Sequence, residues 1–283
     1  MDRRRMEEAF FRVLMVASAA IVAGSVAGVL LIVLVRGLPA LNLAMITQSP
    51  KGGYYLGKEG GVLNAILGSL CLAAGATVAA LALSLPIVFY LQKEYGGRSR
   101  LASLTRLALD VLWGIPSIVY GACGFIVMMY LGLRASLLGG IMALTLVELP
   151  IMARAMDEVV RLVPAHLKEA SFSLGATRIE TTLRVVWRQA LPGIMTAVLL
   201  AFGRGIGDAA SVLFTAGYTD RLPSSLFEPV ASLPLAVFFQ LGTPFPEVQQ
   251  RAYASGAILL ALVLGVSVIS RLLARRFERY VIR

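Results

Sequence analysis

Apolar residues in this chain run in long blocks rather than alternating with polar ones or recurring only every third or fourth position. Crossing a bilayer core of roughly 30 Å takes about 20 predominantly apolar residues, and blocks of about that length recur along the sequence. Residues 13–35, 62–91, 111–133 and 252–270 carry no charged side chain, residues 135–153 carry only Glu148, and residues 190–219 carry only Arg204 and Asp208. The pattern predicts an all-α membrane protein with six transmembrane helices in a single unit covering residues 1–283. Pro86, near the end of the second block, predicts a kink there. The first block follows a basic amino terminus and so also resembles a secretion signal, but it exceeds the roughly 7–15 apolar residues of a signal core. It is read as an anchor.

Between the blocks lie polar segments of unequal size. An outer segment over 36–61 is rich in Gly, Pro and Tyr and reads as an irregular loop or short re-entrant stretch. The outer segment 217–251 holds five prolines and an apolar run, residues 235–239, too short to span and expected at the membrane interface. The one sizeable cytoplasmic segment is 154–189. Pro164 is a natural helix start and Gly175 a natural stop, so residues 165–174 form a short helix. Leu167, Ala170, Ser171 and Leu174 share one face of it, with small residues at the centre, suited to docking on another surface. Ala176 and Thr177 open a second helical stretch in which Glu180 and Arg184 stand at i, i+4 in the favourable order.

Composition agrees with the hydropathy pattern. Of 283 residues 58% are hydrophobic, mean hydropathy is +0.80, and 15% are charged, well below the roughly 25% of soluble domains. The net charge of +10 is a topology signal. Nineteen Lys and Arg residues fall in the amino terminus, the second and fourth connections and the carboxy-terminal tail, against six in the other connections. By the positive-inside rule both termini face the cytoplasm. Basic residues spread over four short segments argue for contact with anionic lipid and against nucleic acid. Cys71 and Cys123 have no disulfide or metal-ligand spacing and read as small buried side chains. His166, the only histidine, has no metal-ligand partners near it and reads as a surface contact.

The two charges in AFGRGIGDAASVLF, residues 201–214, are the candidate chemistry. Arg204 stands about 12 residues, or roughly 18 Å, into the fifth block, near the midplane. A lone Arg there costs about 2.5–3.5 kcal/mol, so it must face protein or water and have a partner. Asp208, one turn on, is the predicted partner within the helix. Gly203 and Gly207 make a small-x-x-x-small face that admits a close helix neighbour and leaves room beside the guanidinium. Two roles stay open for the pair, a polar point in an anion path and a packing contact between subunits. No strand precedes these glycines and no Gly-Lys-Ser/Thr follows, which excludes a nucleotide-binding loop. Glu148, inside the fourth block, is read as structural; being protonated, pairing with Arg154, or belonging to the path are the options.

Residues 169–175, EASFSLG, resemble the EAA-x-x-x-G loop of bacterial ABC importer permeases. The likeness extends to phosphate permeases of the PstA type, through GVLNAILGSL at 61–70, LDVLWGIPSIVYG at 109–121, LPIMARAMDEVVRLVP at 149–164, EASFSLGATRIETTLRVV at 169–186, LPGI at 191–194, GRGIGDAASVLFTAG at 203–217 and LFEPVASLP at 226–234. The loop alone indicates an importer permease; the strings around 114–121 and 203–208 favour phosphate. Four departures stand out: Ser171 for alanine, Trp187-Arg188 for the family's Leu-Pro, Asp208-Ala209 for Glu-Thr, and Glu148 itself.

The resemblance implies a permease subunit of an ATP-driven phosphate importer in the bacterial inner membrane, with Arg204 and Asp208 in the substrate path. It also implies a cytoplasmic coupling loop, 154–189, in which Glu169, Ala170 and Gly175 dock an ATPase dimer. A second homologous permease and an external phosphate-binding protein complete the assembly. The chain needs no cofactor or metal of its own, has no catalytic residue, and leaves ATP and magnesium to the ATPase. Within the class the alternative substrate is another oxyanion, such as sulfate or molybdate. Outside it, an intramembrane phosphatase would need a nucleophile or general base near Arg204, which the sequence does not show.

Overall fold

A computed structural model describes residues 3–51, 60–92, 95–97 and 99–278, and every regular element among them is helical. Lys58, Lys93, Arg98, Arg279 and Arg283 of the charge count lie outside the described residues. Five helices are long and apolar enough to cross a membrane, and six if a bent pair counts as one span. Among the described residues the α-helices, spanning and short together, are in chain order α1 (Arg3–Gly37), α2 (Leu43–Thr47), α3 (Leu63–Tyr90), α4 (Arg100–Gly114), α5 (Ser117–Tyr130), α6 (Leu137–Arg161), α7 (Ala165–Ser173), α8 (Arg178–Thr181), α9 (Trp187–Ile206), α10 (Leu233–Leu241) and α11 (Pro246–Glu278).

The centre of the bundle is the mutual packing of α3, α6 and α9. Small residues make the approach close: Ala73, Ala76, Ala80, Ala143, Ala153, Ala197 and Ala201 are all buried. α11 closes the bundle against α9 and α10, and α1 lies along α11 with its apolar face uncovered. Cys71 and Cys123, read from sequence as buried, are exposed. On a bundle whose sides face hydrocarbon, an apolar thiol has no need of the interior.

Three other expectations change. The third block is not a straight span: α4 begins at Arg100, inside the presumed loop, and meets α5 at a bend of 101°. Pro116 has no amide proton to donate, and it holds Ile115 extended (φ −75°, ψ 129°), so the helix stops and restarts. The fifth block is helical only to Ile206; residues 207–219 run in turns. Its helix also starts earlier than residue 190, because α8 continues through a π-helical turn, Thr182–Val186, directly into α9. The run at 235–239 is part of a helix, α10, capped by Ser232, whose inner residues pack into the bundle. Leu233, Leu235 and Ala236 are fully buried, and the Leu233 amide donates to Ser69 Oγ of α3 at 2.8 Å.

Candidate functional site

Halfway along α3 and α6, two polar side chains meet the end of α9. Thr77 Oγ1 on α3 donates to Glu148 Oε2 on α6 at 2.8 Å. Glu148 is completely buried and its Oε1 has no hydrogen-bond partner. That oxygen is seated on Gly205 of α9 so closely that a Cβ at 205 would overlap it. Gly203 and Gly207, which the sequence singled out for helix packing, have no neighbour within the chain beyond their own helix backbone. Gly205, the one between them, makes the tight contact. Pairing of Glu148 with Arg154 does not occur: Arg154 Nε is 2.8 Å from Asp110 Oδ1 on α4.

Arg204 and Asp208 do not pair within a helix either. The helix ends between them, at Gly207, and Asp208 turns inward. Its Oδ1 accepts from Ser117 Oγ, the first residue of α5, at 3.1 Å and from the Ala210 amide at 3.3 Å. The second bond is the two-residue reach by which Asp replaces a helical turn with a local one. The first puts a carboxylate at the positive end of α5, where the break at Pro116 has left unpaired amides. Asp208 is 5% exposed and its Oδ2 is unpartnered. α5 and the turn after α9 approach closely here, since a Cβ at Gly121 would lie 2.7 Å from the Ser211 carbonyl oxygen.

Arg204, in contrast, is exposed in the last turn of α9, and among the described residues no side chain or carbonyl pairs with its guanidinium. Lying next to Gly205, it stands level with the Thr77–Glu148 contact. The structure therefore sets two separate polar contacts near the end of α9, Thr77 with Glu148 and Ser117 with Asp208, and leaves Arg204 outside both, facing away from the chain. Sequence reasoning missed Thr77 and Ser117. Lone hydroxyls in apolar runs commonly satisfy themselves on the preceding turn, and nothing in the sequence sets these two apart.

Toward the α7 end of the bundle a second buried charge ties the helices together. Asp157 Oδ2 on α6 lies 2.7 Å from Arg161 Nη2 and 3.5 Å from Arg106 Nε on α4, and its Oδ1 accepts from Gln92 Nε2 at 3.4 Å. Just beyond it stands the coupling segment. α7 buries none of its residues, and Glu169, Ala170 and Gly175 are exposed. Leu174 is 88% and Leu162 80% exposed. Gly175 takes φ +82°, the left-handed turn expected of a glycine stop. Thr177 and Glu180 form a reciprocal capping box, so Glu180 spends a carboxylate oxygen on the Thr177 amide rather than mainly on Arg184. Ser171, where the family has alanine, shares a 2.9 Å hydrogen bond with Thr181 and so fixes α7 to α8.

A bundle of membrane-spanning helices with one broken span, polar contacts at its centre and an exposed helix-turn-helix at one end defines a multi-pass membrane permease. Residues 95–282 match the family described as binding-protein-dependent transport system inner membrane component, and the chain belongs to that family. It is 33% identical over 246 residues to the phosphate transport system permease protein PstA of Haemophilus influenzae, covering 86% of this chain and 85% of that one. It is 37% identical over 212 residues to PstA of Mycobacterium leprae, covering 74% and 68%. Among solved structures, a MetNI methionine ABC transporter in an inward-facing conformation matches with TM-score 0.62 at 17% identity, over 76% of this chain and 95% of that one. An amino acid ABC transporter matches at 0.59 and 19% identity, over 76% and 92%. At such identities these two show the fold. The chain is a multi-pass inner-membrane permease subunit of an ABC importer family.

Proposed function

We propose that this permease moves inorganic phosphate into the cytoplasm and that Arg204 is the point at which the anion is met inside the membrane. The observation that carries the reading is the separation of the two charges. Asp208 is occupied by Ser117 and the Ala210 amide, so Arg204 has no carboxylate competing for it. A guanidinium offers a planar fork matched to phosphate oxygens and keeps its charge in any plausible environment. Exposed on the surface of this chain, it faces what a second, homologous permease would enclose. A single fixed charge attracts the anion without the many ligands that would hold it, as conduction requires. The PstA relatives are named for phosphate transport, which favours that anion over other oxyanions.

On this reading Glu169, Ala170 and Gly175 dock one subunit of an ATPase dimer that binds ATP and magnesium, and an external phosphate-binding protein delivers the cargo. The basic bias of the sequence places both termini in the cytoplasm. ATP-driven closure of the ATPases pushes α7, and α8 transmits the push along the helix it shares with α9.

Uptake of labelled phosphate by cells that depend on this importer tests the reading. Arg204→Gln abolishes uptake while the complex still assembles, and Arg204→Lys, which keeps the charge but loses the fork, retains a fraction. Undiminished uptake by Arg204→Gln overturns the role of Arg204. Faster uptake of labelled sulfate or molybdate than of labelled phosphate through this importer overturns the choice of anion.

A further inference from the structure

Glu148 has no place in the family resemblance and no contact with the anion path, yet it is completely buried at the point where α3, α6 and α9 cross. A carboxyl group with one oxygen unpartnered is a costly way to fill space. What it supplies that a leucine cannot is direction. Its Oε2 is held by Thr77 and its Oε1 rests on the bare backbone of Gly205, the residue next to Arg204. We propose that Glu148 is a positioning residue for transport: the Thr77–Glu148–Gly205 contact fixes the rotation of the last turn of α9 and so the direction in which Arg204 points.

The geometry makes this position sensitive. Successive residues on a helix are about 100° and ~1.5 Å apart, so a small slip of α9 against α6 re-aims the guanidinium. α9 ends one residue past Gly205, and no further turns hold its orientation. Pro86 lies in α3 and Pro192 in α9, each on the side of the contact that leads toward α7. A proline removes the hydrogen bond to the carbonyl four residues before it and lets the helix bend. These two helices can therefore flex between the contact and α7, while Glu148 keeps the Arg204 end in register.

This proposal rests on the role given to Arg204, and its test separates the two. In the assembled complex, with Cys71→Ser and Cys123→Ser, an Arg204→Cys substitution is labelled with a water-soluble cationic methanethiosulfonate. Adding Glu148→Gln, which keeps the shape and the acceptor for Thr77, leaves the labelling rate unchanged, whereas adding Glu148→Ala lowers it about tenfold, as expected when a reacting group is displaced by ångströms. Thr77→Val, a milder change, shifts it in the same direction. In the chain that retains Arg204, Glu148→Gln keeps phosphate uptake within about twofold and Glu148→Ala lowers it about tenfold. Equal labelling rates in the Glu148→Ala, Thr77→Val and parent proteins overturn the proposal. If the cargo is another anion, phosphate uptake fails already in the unsubstituted protein, and the labelling still reports on Glu148.

Discussion

At the crossing of α3, α6 and α9 the contact between Glu148 and Gly205 leaves no room for one more carbon atom. At α7 no residue is buried, and Leu174 stands 88% exposed. Both regions bring together small residues and one acidic side chain, Glu148 in the first and Glu169 in the second. The first is completed by its own chain, so its polar group is used to fix one helix against two others. The second is completed only by another surface, so its shape is held from behind, by the Thr177–Glu180 box and the Ser171–Thr181 bond, and its front is left open. Between them, Asp157 joins α6 to α4 and to the end of α3. Substitutions in the three places should therefore fail in different ways.

The largest loss is expected where the regions are joined. Asp157→Ala removes the buried carboxylate that Arg161 and Arg106 share; both guanidiniums stay partly exposed and Arg106 keeps its bonds to the Gly97 and Leu91 carbonyls, so the loss is about 1–3 kcal/mol. Thermal unfolding of the detergent-purified complex should shift down by several degrees, and an unchanged transition would mean that the two regions are not held together through this charge. Next come Leu174→Asp and Phe172→Asp. Both side chains are exposed, so chain stability should change by less than about 0.5 kcal/mol. Retention of the ATPase on purified permease should nonetheless fall about tenfold, a loss near 1.4 kcal/mol of docking energy. If the ATPase still co-purifies, the open face is not the docking face. Gly175→Ala puts a Cβ at φ +82° and should cost roughly 1–2 kcal/mol locally. It would show as faster amide exchange through residues 173–178 with the span cores unaffected. Smallest is Thr177→Ala, the loss of one cap worth typically ~1 kcal/mol. Its effect should be confined to fraying of α8; spread of faster exchange to Gly205 would show that the coupling helix and the crossing behave as one element.

Much of this was legible from residue order. Block hydropathy located the membrane helices, and Pro164 and Gly175 bounded α7 to within a residue. The break between α4 and α5 was written in Gly114-Ile115-Pro116, but a continuous apolar run hides a stop when hydropathy alone is weighed. The early end of α9 was likewise present in three alternating glycines and an aspartate. Each of these signals is local, so its meaning can be read within a turn or two. The choice of Gly205 over Gly203 and Gly207 is not local. All three glycines have equal claims until it is known which face of α9 meets α6.

By itself the sequence determined that the chain is helical, lies in a membrane and carries a short helix between Pro164 and Gly175. These follow from solvent preference and backbone chemistry, which act residue by residue. Only the tertiary structure decided who partners whom. Asp208 bonds Ser117, 91 positions away, rather than Arg204 four positions away, and Glu148 bonds Thr77, 71 positions away. Inside a low-dielectric bundle a polar side chain settles with whichever donor the helix crossings bring within reach, and those crossings are set by the fit of Ala and Gly surfaces along entire helices.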